Sequence, residues 1–154
     1  MNIRPIAEHE LPDLIALYRH LHPIDDLLPE SVMKRVWSQM LLHPGLICLV
    51  ASEGELLVSS CCLIVIPNLT RGGRPYALIE NVVTHSDYRR RGIGQTVVTK
   101  ALELAWEADC YKVMLLTGSA RQEVHSFYER CGFISGDKRG FVARPPIPQS
   151  GAPE

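Results

Sequence analysis

The sequence predicts an α/β fold, a sandwich of helices around one sheet. Three observations point there. Short apolar runs of strand length alternate with longer stretches of helical periodicity. Proline and glycine clusters, HPIDDLLP and Pro44-Gly45 among them, divide these stretches cleanly. The longest amphipathic stretch follows directly on a buried strand, so strands and helices interleave rather than segregate.

Residues 3–6 (IRPI) read as a short strand. From Glu8 to His22 the apolar positions Leu11, Leu14, Ile15, Tyr18 and Leu21 have helical spacing. Pro23 breaks that helix, and a second begins after Pro29, with Val32, Val36, Met40 and Leu41 marking one face and Pro44-Gly45 ending it. Leu46–Ala51 and Leu56–Ile66, joined by the turn Ser-Glu-Gly-Glu, predict a β-hairpin. Asn68 to Pro75 is a further turn. Ala77–His85 leaves little polar surface and predicts a central strand. Gly92 to Asp109 is the clearest helix, with Ile93, Val97, Ala101, Leu104, Ala105 and Ala108 as its apolar stripe. Val113–Leu116 predicts a buried strand. Glu123–Cys131 predicts a shorter helix, capped by Gly132. Phe141–Val142 predicts a last strand. The order is β-αα-βββ-α-β-α-β.

The chain has 154 residues, suited to a single domain, expected over residues 1–144. The stretch 145–154, PPIPQSGAPE, is too polar and proline-rich to pack and predicts a flexible tail. The composition, 46% hydrophobic and 21% charged, is that of a globular protein. A net charge of −1 argues against a life on nucleic acid or on an anionic membrane. No apolar run reaches the ~18–20 residues of a bilayer span, and the N-terminus lacks the apolar core of a secretion signal. Five cysteines without CxxC spacing form neither a disulfide framework nor a zinc site, so no metal is expected. A cytoplasmic location follows.

The most informative segment is ENVVTHSDYRRRGIGQTVV, residues 80–98. A buried strand enters a basic, glycine-containing turn that opens into the longest helix. The first N–H groups of a helix have no internal partner, and its dipole puts partial positive charge there. Gly92 and Gly94 let backbone approach a phosphate without a Cβ in the way, beside Ile93 and Gln95. Arg89, Arg90 and Arg91 add positive charge with paired donors. A basic run taken alone is more often a solvated turn; the strand and helix around this one favour phosphate. A Walker A loop would need GxxxxGK[ST], and a dinucleotide fingerprint GxGxxG finds Val97 at its third glycine. What remains is R-x-x-G-x-G, filled by Arg89, Gly92 and Gly94.

That motif, after a strand and at the head of a helix, resembles the pyrophosphate-binding signature of the GNAT superfamily of N-acetyltransferases. The approach V-x-x-x-x-Y-R (Val83, Tyr88, Arg89) and the later FYERCGF (127–133) fall where the family has them, and the likeness runs over nearly the whole chain. It implies a mixed central sheet with helices on both faces. It also implies acetyl-CoA as cosubstrate, bound by Arg89–Gln95 and by backbone around Val82, Val83 and Thr84, where the family's central strands splay apart. A homodimer is expected by analogy.

Transfer from a thioester to an amine sets three tasks. An alkylamine with pKa near ~10 must lose a proton, an oxyanion needs N–H donors, and the departing thiolate needs a proton. The resemblance sets Tyr128 beside the coenzyme sulfur, and a phenol with pKa ~10 stays protonated and can donate. Tyr128 also lies on an apolar stripe, where it could simply be core. Glu80, a carboxylate in an apolar strand, is the candidate base through water, since burial would raise its pKa. His85 and His125 are alternatives. Many relatives have Asn seven residues before the tyrosine; Arg121 stands there in this chain, and Ser119 and Ser126 are candidates to replace that contact. Asp25, Asp26, Arg74 and Tyr76 are candidates for an acceptor pocket between the helix–helix loop and the Asn68–Tyr76 turn. Two acids suit a cationic amine, and an arginine suits a phosphate or carboxylate. The activity expected is transfer of acetyl to a primary amine of a small molecule or peptide. The alternative is a non-catalytic acyl-CoA-binding module on the same fold.

Overall fold

A computed structural model describes residues 2–26 and 28–146. The elements run β1 (Asn2–Pro5), α1 (Leu11–Tyr18), α2 (Glu30–Leu42), β2 (Leu46–Glu53), β3 (Leu56–Ile66), β4 (Tyr76–Thr84), α3 (Ile93–Glu107), β5 (Val113–Met114) and α4 (Gln122–Arg130). Five strands form one sheet in the order β1-β2-β3-β4-β5. The first four are antiparallel, and β4 and β5 are parallel.

Alternation along the strands sends side chains to two cores. Leu49, Ala51, Val58, Cys61, Leu63, Ala77 and Ile79 face α3, whose Val97, Val98, Ala101 and Ala105 are fully buried. Small residues on that stripe let the helix lie close to the sheet. Cys48, Val50, Leu57, Cys62 and Val83 face the other way, toward Leu14, Leu17 and Trp37 of the first two helices. Helices thus cover both faces, as the resemblance implies.

The N-terminal strand is tied to the start of α1. The Arg4 guanidinium donates two hydrogen bonds to the Glu10 carboxylate at 2.7 Å each, and the Ala7 amide donates a third at 2.8 Å. Arg4 beside it holds the Glu10 carboxyl down at about 2.

Two expectations need correction. The inner face of α2 is Met33, Trp37 and Met40, with the Trp37 indole donating to the Glu8 carbonyl at 2.9 Å; Val36 and Leu41 are exposed. One helical step separates the two readings, and the bulky tryptophan decides which side turns inward. Phe141–Val142 forms no strand, and both side chains are exposed. A two-residue apolar run carries too little burial to recruit a sheet partner. Of the tail expected at 145–154, residues 147–154 lie outside the described residues.

Two departures from a regular sheet shape the centre of the molecule. Ser60 pairs with Val83 and Cys62 with Glu80, so between them one residue of β3, Cys61, faces two of β4, Asn81 and Val82. The extra residue makes a bulge at Asn81, whose φ is +52°. The second departure is the brevity of β5. It pairs with β4 only at Ala77–Val113 and Leu78–Met114, and past Leu78 no β5 partner follows.

Candidate active site

The turn after β4 ends at Gly92, which is left-handed at φ +77° and is the N-cap of α3. It brings no side chain to the helix end. Its carbonyl accepts the Thr96 amide at 3.0 Å and the Thr96 hydroxyl at 3.1 Å. The amides of Ile93, Gly94 and Gln95 precede the first intrahelical bond, and no side chain caps them. A Cβ built on Gly92 would meet nothing within 4 Å, so the surface above it is open. A Cβ on Gly94 would lie 2.7 Å from Thr84 Oγ1 and 3.5 Å from the Phe127 ring. The cradle is closely lined below and open above, which fits a phosphate group resting on backbone.

The basic residues of the turn divide their work. Arg89 donates from Nε to the Thr84 carbonyl at 3.1 Å and from Nη2 to the His20 carbonyl at 3.0 Å. Its guanidinium is thus held by two protein carbonyls. Arg91 stacks over the Tyr88 ring at 4.8 Å. Arg90 is exposed, with a left-handed backbone at φ +61°. The Gln95 side chain donates to the Arg130 carbonyl at 3.0 Å, binding the start of α3 to the end of α4. Ile93 is buried through its side chain, leaving only its amide for a ligand.

Val82, Val83 and Thr84 occupy the end of β4, beyond the last β5 pair. Ser59 Oγ donates to the Val83 carbonyl at 2.8 Å and shares a 2.9 Å hydrogen bond with Thr84 Oγ1. These bonds hold one flank of β4 against β3. The flank turned toward β5 has no ladder, so its amides and carbonyls are open to an extended ligand.

Tyr128 is half-buried on α4, edge-on to Phe127 at 5.0 Å and to Phe133 at 6.1 Å. Burial pushes its phenol above the ordinary range, with the Cys131 and Cys61 thiols and the Glu80 carboxylate adding to the rise. Among the described residues its hydroxyl has no hydrogen-bond partner. The phenol thus keeps its proton and has it free to give. Glu80 is exposed, which corrects the expectation of a buried carboxylate. The bulge one residue later disturbs the strand's alternation there. Its charge nonetheless reaches Tyr128 and Cys62.

The alternative histidines have structural partners. His85 Nδ1 accepts the Asp87 amide at 3.3 Å, and its ring lies 4.0 Å from that of His20. His125 Nε2 pairs with the Ser119 carbonyl at 2.8 Å. Ser119 Oγ accepts from the Arg121 amide at 3.3 Å, and Ser126 Oγ accepts from Gln122 at 3.4 Å. Both serines are half-buried near Tyr128 in sequence, but each hydroxyl already has a local donor.

A cleft of about 450 Å³ opens between α1, the α1–α2 loop and the bulge of β4. Asp25, Asp26, Tyr18, Arg19, His22 and Asn81 bring its polar groups. Of the four residues offered for an acceptor pocket, Asp25 and Asp26 line this cleft and Arg74 and Tyr76 do not. Arg74 pairs with Asp109 at 3.0 Å, and Tyr76 packs edge-on to Tyr111 at 6.5 Å. Both sit at the opposite end of β4, about 16 Å along the strand from Asn81. The pocket's second wall is the bulge, which the sequence reading missed. Its signal was present: an asparagine inside an apolar strand, the residue type most tolerant of left-handed backbone. Among the described residues no three His, Cys, Asp or Glu side chains gather as metal ligands. No described helix is long and apolar enough to cross a membrane.

Comparison with known proteins bears on this geometry. The sequence profile of the acetyltransferase (GNAT) family matches residues 11–133. A probable glucosamine 6-phosphate N-acetyltransferase 2 of Oryza sativa subsp. japonica is 38% identical over 84 residues, which are 54% of this chain and 48% of the relative. A glucosamine 6-phosphate N-acetyltransferase of Trypanosoma brucei brucei is 34% identical over 83 residues, 54% of each. The chain thus spans about half the length of these curated relatives. A solved structure described as "Putative acetyltransferase from Agrobacterium tumefaciens str. C58" superposes with a TM-score of 0.90 at 47% identity, over 94% of this chain and 100% of that one. With the signature turn, the divided strands and the matched profile together, the chain belongs to the acetyltransferase (GNAT) family.

Proposed function

We propose that this protein transfers the acetyl group of acetyl-CoA directly to a primary amine of a small molecule or peptide. The observation that carries the reading is the uncapped head of α3, where three backbone amides meet open surface above Gly92. When bound, acetyl-CoA supplies an activated acyl thioester. The amides of Ile93, Gly94 and Gln95 hold its diphosphate, with Arg90 and Arg91 as nearby charge. The open flank of β4 at Val82–Thr84 orients the pantetheine arm and offers amide donors to developing negative charge.

Glu80 acts as base, taking the ammonium proton through water. Its exposure suits a solvent relay better than direct contact. Tyr128 acts as acid, giving its phenolic proton to the departing thiolate. Ser119 and Ser126 line the approach on the α4 side. The acceptor enters by the cleft at Asp25 and Asp26, whose carboxylates complement a cationic amine. The relatives named for glucosamine 6-phosphate favour a small amino-bearing acceptor.

Calorimetry with coenzyme A, followed by thiol release from acetyl-CoA over a panel of amines, tests the reading. Binding at micromolar concentration and release with at least one amine are expected. No heat of binding, or binding retained in Gly92→Trp, would remove the phosphate site. Binding without release for any amine would leave a coenzyme-binding module.

A further inference from the structure

We propose that Cys48 and Cys62 form a modification site, a dithiol that a small hydroperoxide closes into a cross-strand disulfide. The two residues are direct partners across the antiparallel β2–β3 pair. Directly opposite Cα atoms in such a pair are about 4.5–5.5 Å apart, within the ~4.4–6.8 Å that a disulfide bridges. Both side chains point to the α1/α2 face.

The surroundings make this pair different from the other three cysteines. The Tyr18 hydroxyl lies 3.6 Å from Cys62 Sγ, and the Ser60 hydroxyl lies 3.6 Å from Cys48 Sγ. With Cys48 opposite it on the neighbouring strand and the Tyr18 hydroxyl beside its sulfur, the Cys62 thiol is drawn down against the cost of burial. Its partner Cys48 moves the other way, raised by the neighbouring Cys62 and by burial. Cys61 has no such donors, and burial pushes it up to about 12; Cys131 rises to about 11 for the same reason. Cys110 is likewise raised by burial.

Access comes from two sides. Cys48 lines a surface cleft of about 260 Å³ between β1, α2 and β2. Cys62 lies behind Tyr18, which lines the larger cleft on the other side. Both residues are buried, Cys48 at 6% and Cys62 at 2% exposure, so the site admits only an oxidant as small as a hydroperoxide.

The chemistry balances in two steps. The Cys62 thiolate attacks the peroxide, an S–O bond forms, the O–O bond breaks, and the alkoxide or hydroxide leaves to be protonated by water. The Cys48 sulfur then attacks Cys62, the S–S bond forms, and the hydroxyl leaves with the Cys48 proton as water. Two thiols lose two electrons, and the peroxide gains them. Closure draws the Cys62 sulfur toward Cys48 and away from the Tyr18 hydroxyl, so the wall of the larger cleft loses an anchor.

The test is thiol counting on the full chain. Protein is treated with hydrogen peroxide, denatured in excess N-ethylmaleimide and weighed intact. Five adducts are expected before treatment and three after. Trypsin leaves Cys48, Cys61 and Cys62 on one peptide, residues 36–71, and cleavage at Glu53 and Glu55 separates Cys48 from the other two. A linked pair of fragments that persists in Cys61→Ser and vanishes in Cys48→Ser supports the site. Phenylarsine oxide, which bridges neighbouring thiols without oxidation, is expected to bind at one equivalent in the native protein and not in Cys48→Ser. Five adducts after peroxide, a bridge retained in Cys48→Ser, or no arsenical uptake by folded protein would overturn the proposal. None of these readouts depends on acetyl transfer, so the site stands or falls apart from the proposed function.

Discussion

The hydroxyl oxygen of Thr84 stands 2.7 Å from the point where a Cβ on Gly94 would lie. The end of β4 and the first turn of α3 therefore touch backbone to side chain. Thr84 is itself held by Ser59 at 2.9 Å and has little freedom to swing aside. Gly94→Ala is expected to cost about 1–3 kcal/mol, the usual range for overpacking, and to weaken coenzyme binding. Thr84→Ala removes the obstructing oxygen, and the double variant is expected to recover most of the stability. Urea midpoints for the four proteins check the coupling; simple additivity would show that the two residues do not share the space.

Tyr128→Phe keeps the aromatic contacts with Phe127 and Phe133 and removes only the proton. We expect kcat to fall about 10²–10⁴-fold with the Kd for acetyl-CoA nearly unchanged. Weakened binding with normal turnover would show a packing role instead.

Glu80→Gln is expected to lower kcat/KM for the amine and to flatten the acidic limb of the pH profile, which a lost base would no longer define. A second effect has a definite sign. The Glu80 charge helps hold the Tyr128 phenol above its ordinary range, so neutralising it lets that phenol ionise earlier. The alkaline limb of activity should move to lower pH. An unchanged profile on both sides would exclude Glu80 from the site.

The Arg4–Glu10 pair gives a prediction about stability. The Glu10 carboxyl is depressed to about 2 in the folded protein. Its contribution is complete above the ordinary carboxylate range and is lost as pH falls through the folded value. Glu10→Gln should therefore be less stable at neutral pH by about 1–3 kcal/mol, near the low end because the Arg4 side chain is 35% exposed. The gap between variant and parent should close toward pH 2. Thermal melts at several pH values read it directly.

How far the sequence carried depended on how local each feature was. The glycine turn was legible because its backbone demands and its charge lie within six consecutive residues. So were β3 and α3, each with enough apolar repeats to fix its period. The face of α2 was not, since Val36 and Trp37 are both apolar and only packing against β2 chooses between them. Glu80 was misplaced because a bulge breaks the alternation that pattern reading assumes. Arg74 and Tyr76 lie away from the cleft at Asp25 and Asp26 for a topological reason: proximity in space at one end of β4 cannot be read from a turn at the other. Arg89 matched a motif yet has its side chain committed to two carbonyls that are distant in the chain. The half-pairing of β4 with β5 depends on where a two-residue strand stops, which local pattern does not specify.

That Arg89 guanidinium joins two separate parts of the molecule. One nitrogen holds the end of β4 at Thr84, and another holds the chain leaving α1 at His20. A lysine, with one compact ammonium, could not span both. Under the proposed function, coenzyme along β4 and amine beside α1 would share this brace, and whatever factor one lends to the other's affinity would be returned in equal measure.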